Sequence, residues 1–218
     1  MRKLLLTTAI AAALTMGCAT GPSYDATTLA EAERLELVPV EKSRFDQTFG
    51  LERSLWIETR DVFIADLQTA NTVIDKPLVD GRFRNKTWML NEKEKAGLNK
   101  LYKKALQRQL EQQGYAVQHA PTANALVISA ELLALDPTAP KDDIGGRSAF
   151  EGFVTEGAGS ATIAFDVSQN DRVLLQIEDQ RDAGHSWGVN NRFHNTQDVR
   201  QLFNSWTHSL LAQLDIKS

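Results

Sequence analysis

SATIAFDVSQNDRVLLQIEDQ, residues 160–180, is the stretch that decides the fold. From Ser160 to Ser168, Ile163, Phe165 and Val167 fall on one side, with Thr162 and Asp166 on the other. Gln169-Asn170-Asp171 carries turn chemistry, and from Arg172 to Gln180 the residues Val173, Leu175 and Ile177 take up the same period. A period of two sends alternate side chains to opposite faces of a strand. The stretch therefore predicts a hairpin with one face in a core and the other in water.

Working outward, Ala125 to Leu135 reads as a longer strand with Leu126, Ile128, Ala130 and Leu132 on one face, stopped by Asp136-Pro137. The connection to Gly159 is irregular and contains Gly145-Gly146, Gly152 and Gly157. Tyr115 to Gln118 is a short strand. Ile57 to Leu67 has Phe63, Ala65 and Leu67 on one side and Val62 and Ile64 on the other, the pattern of a central strand buried on both faces. A loop from Thr69 to Trp88 follows it, with turn signals at Lys76-Pro77 and Asp80-Gly81.

Two helices stand out. Asn91 and Glu94 have the spacing of a capping box. Leu98, Leu101, Tyr102, Ala105, Leu106 and Leu110 form an apolar stripe, and Gly114 supplies the stop. Lys100, Lys103, Lys104, Arg108 and Glu111 make its solvated face. The second helix is expected to be capped by Thr196 and to bury Val199, Leu202, Phe203, Trp206 and Leu210. Helices are too few for alternating strand–helix units. The expected fold is α+β in two layers: four or five strands in an antiparallel or mixed sheet, with two main helices packed on one face.

The chain has 218 residues, enough for one domain with a real core. Hydrophobic residues at 42% and charged residues at 24% give the balance of a globular protein. Beyond residue 17 there remain 22 basic against 28 acidic side chains, near −6, with no basic block. That balance argues against nucleic acid as a partner and against electrostatic attachment to anionic lipid.

The N-terminus offers another route to a membrane. Arg2 and Lys3 precede an apolar run from Leu4 to Met16, too short to span a bilayer but suited to a signal peptide. Cys18, the only cysteine, follows immediately. Met16-Gly17-Cys18 resembles the end of a bacterial lipoprotein signal, in which the cysteine is lipidated and becomes the first mature residue. That family favours Leu three residues before the cysteine; here Thr15 stands there and Leu14 one place earlier. The other reading is plain cleavage after Ala19. The resemblance implies acyl chains on Cys18, and Ala19 behind it implies sorting to the outer membrane. The expected organisation is a signal peptide over 1–17, a lipidated cysteine and tether over 18–43, and a single domain over 44–218. Within the tether, Ala30 to Leu37 has the composition of a short helix.

Most of the chain from Phe45 on also resembles the Gram-negative lipoproteins grouped as domain of unknown function 3313. The resemblance lies in Gly159-Ser160-Ala161-Thr162 at a strand start and Asp179-Gln180-Arg181 at a strand end. It continues through Trp187, Asn190, Asn195, Asp198, Arg200 and Trp206. It implies a location in the envelope and carries no activity.

Reaction chemistry is hard to find. His119, His185, His194 and His208 form no HExxH pair, and no metal or cofactor is expected. The glycines lack the context of a phosphate loop, and no serine sits in a nucleophile elbow. Asp142-Asp143 reads as a solvated pair. The one polar cluster is Arg181, His185, Trp187, Asn190, Asn191, Arg192 and His194, expected on a long exposed loop. It can be read as a sugar or anion site, with Trp187 as a stacking face. The favoured reading is structural, with Asn and Gly making turns, Trp187 plugging the end of the core and Asp179 pairing with Arg181. The leading expectation is a non-enzymatic, periplasm-facing envelope lipoprotein, an accessory or interaction protein that acts through protein or envelope contacts. A ligand-binding module and, last, an envelope hydrolase are the alternatives.

Overall fold

The structure, a computed structural model, describes residues 24, 26–74, 89–137, 153–156, 159–184, 187–190 and 192–214. Its centre is the hairpin of β8 (Gly159–Gln169) and β9 (Arg172–Ala183), paired antiparallel in a register that sets Phe165 against Ile177. Asn170 and Asp171 both take positive φ, 50° and 61°, as the tight turn of a right-twisted hairpin requires. Asn170 is held there by Asn124, through a side-chain amide bond of 2.9 Å. On the inner face Ala161, Ile163, Phe165, Val167, Leu175 and Ile177 are buried.

β6 (Leu126–Pro137) pairs antiparallel with the other side of β8 and adds Ile128, Ala130 and Leu132 to the same core. It runs through Asp136-Pro137 instead of stopping before them, because Pro137 pairs with Gly159. Gly159 has φ +115°, and a Cβ there would stand 2.0 Å from the Asp136 carbonyl oxygen, so only glycine fits. β3 (Asp61–Ile64) lies between β6 and β5 (Ala116–Gln118), parallel to both, and is central as its two-sided apolar pattern requires.

The sheet is mixed and eight-stranded, larger than the expected four or five. The additional strands are β1 (Val38–Pro39) and β2 (Gln47–Gly50) beside β9, and β4 (Val73–Ile74) beside β6, within the stretch expected to be loop. Each is too short to show a period. A separate two-stranded ribbon pairs β7 (Phe153–Glu156) with β10 (Trp187–Asn190), so the segment around Trp187 is not the long loop expected.

Helices α2 (Glu92–Gln112) and α3 (Arg192–Leu214) pack side by side on the inner face. The capping box of α2 forms in full. Asn91 Oδ1 accepts from the Glu94 amide at 3.0 Å, and Glu94 Oε2 accepts from the Asn91 amide at 2.9 Å. Tyr102, Ala105, Leu106 and Leu110 are buried, and Gly114 ends the helix at φ +81°. On its outer side Lys100, Lys104 and Arg108 are exposed, while Lys103 reaches Asp66 at 2.6 Å. The Tyr102 ring meets Phe203 of α3 edge-on at 5.9 Å. Thr196 lies inside α3 and does not cap it. Residues 192–195 contain no Gly or Pro, so the helical ladder extends back past it.

A third helix, α1 (Ala26–Arg34), lies on the opposite face. By register Phe49, Gln176 and Asp166 share that face, and Tyr24 stacks on Phe49 with centroids 4.8 Å apart. Ala32 and Leu37 join the core. The chain is thus packed well before residue 44.

Candidate functional site

Of the polar cluster singled out in the sequence, Arg181 is the member whose side chain is described, and it points into the fold. Its Nε donates to Asp179 Oδ2 at 2.5 Å, Nη1 donates to Ser205 Oγ at 2.6 Å, and Nη2 donates to Ser209 Oγ and to the Arg44 carbonyl, both at 3.1 Å. The guanidinium also lies 5.4 Å from the centre of the Phe45 ring. Asp179 is 3% exposed and accepts from Trp206 Nε1 at 2.9 Å and from the Asp46 amide at 2.9 Å. Asp46 returns the bond, its Oδ2 accepting from the Gln180 amide at 2.9 Å. Burial pushes the Asp179 carboxyl above the usual range; the Asp46 amide, Arg181 and Trp206 pull against that.

This is a clamp. It pins α3 and the strand-leading segment 43–46 to the end of β9. Among the described residues, the Asp179 carboxylate takes bonds from the Asp46 amide, Arg181 and Trp206. The pairing of Asp179 with Arg181, one of the two readings of the sequence, is present.

The rest of the cluster is divided among elements. Trp187 and Asn190 fall in β10, while Arg192 and His194 fall in the first turn of α3. Their side chains, together with His185, Asn191, Cys18 and Asp142-Asp143, lie outside the described residues.

A different grouping was missed. A cleft of ≈ 280 Å³ opens beside the C-terminal turns of α2 and α3, lined by Arg44, Gln109, Gln112, Gln113, His208, Leu211 and Ala212. Arg44 Nη1 and His208 Nε2 are 3.2 Å apart across it. Gln109 donates from Nε2 to the Asn204 carbonyl at 3.0 Å and ties the two helices together there. Among the described residues, no group of three or more His, Cys, Asp or Glu side chains has the arrangement to hold a metal ion. No helix among them is long and apolar enough to cross a membrane.

The fold and clamp define a class: an α+β domain whose mixed sheet carries α2 and α3 on one face, with α3 tied to the end of β9 by the Asp179–Arg181 pair. The chain belongs to the family described as protein of unknown function DUF3313, whose model matches residues 62–210. Asp179, Arg181 and Trp206, on which the resemblance partly rested, meet in the clamp. No curated protein matches the chain. Among solved structures it is similar to one titled only as an uncharacterized protein, at 9% identity and TM-score 0.42 over 72% of this chain and 92% of that one. It is also similar to the PelC dodecamer from Paraburkholderia phytofirmans, at 10% identity and TM-score 0.37 over 69% and 86%. A third is protein XCC0632 from Xanthomonas campestris, at 11% identity and TM-score 0.38 over 69% and 81%.

Proposed function

We propose that this chain is an outer-membrane lipoprotein, anchored through acyl chains on Cys18, whose domain faces the periplasm and works by holding a protein partner close to the membrane. The observation that carries the reading is the packing of Tyr24 on Phe49. It leaves five residues between the lipidated cysteine and Tyr24, the first residue seen packed on the core. An extended chain spans at most ~3.5 Å per residue, so the domain is held within roughly 20 Å of the lipid surface. A tether running to residue 43 would reach several times farther. A short leash suits a protein whose partner lies at the membrane, and it confines the domain without any charge attraction to lipid.

The chemistry of the clamp counts against a catalytic role for Asp179 and Arg181. A general acid or base needs a group whose protons and lone pairs can reach a substrate. The carboxylate and guanidinium of Asp179 and Arg181 spend their bonds on each other, on the Arg44 and Asp46 main chain and on α3.

The test is the mass of the mature N-terminal peptide together with membrane fractionation of the wild type and of Cys18→Ser. Acyl mass on Cys18 and release of the variant from the membrane are expected. A mature chain beginning at Thr20 without lipid sinks the anchor and, with it, the short-leash argument.

A further inference from the structure

We infer that the cleft between the ends of α2 and α3 is a binding site for a small carboxylate, with Arg44 as its anion-holding group. The backbone of Arg44 is fixed. Its carbonyl accepts from Arg181, the next residue, Phe45, is buried, and Asp46 is bonded to β9 on both of its sides. Its side chain is exposed and, among the described residues, forms no ion pair with a carboxylate. Arg34, Arg172 and Arg181, by contrast, each have an acidic partner. What Arg44 meets is an imidazole. A guanidinium only donates, so in the 3.2 Å contact His208 Nε2 accepts.

A neutral imidazole nitrogen satisfies one N–H of a guanidinium and leaves its charge uncompensated. A carboxylate is the planar acceptor that matches the guanidinium fork with two parallel bonds. The walls suit such a ligand. Gln112 and Gln113 offer amide donors and acceptors, while Leu211 and Ala212 offer a short apolar floor. At ≈ 280 Å³ the cleft is at the small end for organic ligands, so it takes a sugar acid or the carboxyl end of a short peptide and not a folded partner. The carboxyl ends of two helices lie nearby, and their partial negative charge works against an anion. Affinity therefore rests on Arg44 and is expected near roughly 1 mM. The site is independent of the membrane anchor and of any protein partner.

The experiment is an NMR titration of the full-length mature chain, following the His208 ring and the Gln112 and Gln113 amides. D-Glucuronate and N-acetyl-L-alanine are the probes, and the uncharged D-glucose and N-acetyl-L-alaninamide are their controls. Saturable shifts are expected with at least one acid and with neither control. Binding of both acids supports recognition of the carboxylate itself; binding of one shows which ligand body the walls accept. Arg44→Gln should weaken binding about tenfold or more, and Arg44→Lys should restore part of the loss. Unchanged melting of the Arg44 variants shows that the fold survives, as the exposed side chain allows. The inference is overturned if neither acid shifts these signals, if the neutral analogues shift them equally, or if Arg44→Gln binds as the wild type does.

Discussion

Two arginine sites stand side by side in this molecule and share a residue. In the clamp, Arg181 has a carboxylate, two hydroxyls and a carbonyl as acceptors, and the paired Asp179 is 3% exposed. In the cleft, Arg44 meets one imidazole nitrogen at 3.2 Å and is exposed. The Arg44 main chain serves the first site and its side chain lines the second. The difference teaches how to sort polar residues that a sequence makes conspicuous. A charge whose every bond ends inside the protein holds the fold, and a charge with bonding capacity left over is where a ligand has something to gain.

The sharpest way to break that contrast is to empty the clamp. Asp179→Ala leaves the Arg181 charge mostly enclosed and strips the Trp206 and Asp46 N–H groups of their acceptor. Breaking a buried pair from one side costs about 3–5 kcal/mol. For a domain of this size that is a fall in melting temperature of roughly 10 °C. Replacing both partners, Asp179→Leu with Arg181→Met, should recover much of the loss, because no lone charge is left behind. Urea melts of the wild type and the two variants check this. A loss below about 1 kcal/mol in Asp179→Ala would make the pair a surface-like one and would reopen Arg181 as a ligand group.

Tyr102 probes the opposite extreme, a polar group with no bond at all. Its hydroxyl is buried and has no hydrogen-bond partner among the described residues, and burial raises its pKa. Tyr102→Phe keeps the edge-on contact with Phe203 and removes the orphan. It should stabilise the domain by about 1 kcal/mol, the lower end of the cost of an unsatisfied buried group. Destabilisation in the same urea melts would mean that the hydroxyl has a partner in solution, and that bond counting at this site is wrong.

The sequence carried the long elements and lost the short ones for a physical reason. β6, β8, β9 and α2 each repeat their period several times, so Ile128, Phe165, Ile177 and Leu106 were assigned to the core by pattern alone. β1 and β4 have two residues each and are strands because a neighbour pairs with them, which no local period announces. α1 carries one buried side chain, Ala32, too little to show a stripe. For the site, Arg181 was visible but its role was not. The role depends on Ser205 and Ser209, more than twenty residues ahead, and on Arg44, 137 residues behind. Arg44 and His208 are 164 positions apart, and neither belongs to any motif.

The smallest expected effect sharpens the comparison with a third kind of charge, a carboxylate crowded by its own sign. Asp166 lies on the face away from α2 and α3. Partial burial first, then Glu31 and Glu131, raise its pKa above the usual value of 3.8, with a bond from Gln176 pulling the other way. A carboxyl that holds its proton more tightly folded than unfolded favours folding most at low pH. That contribution is lost as pH rises from about 4 through the raised folded value, so at pH 7 the ionised group weighs against the fold. Asp166→Asn keeps an acceptor for Gln176 and removes the charge. Because Asp166, though partly covered, keeps more than about a third of its surface in water, solvent screens the effect, and the gain at pH 7 should be only a few tenths of a kcal/mol. It should shrink toward nothing near pH 4. Stability of the two proteins measured across pH 4–7 checks the sign. If the Asn variant is instead less stable at pH 7, then a cation holds Asp166, and that face would belong with the clamp among the committed charges.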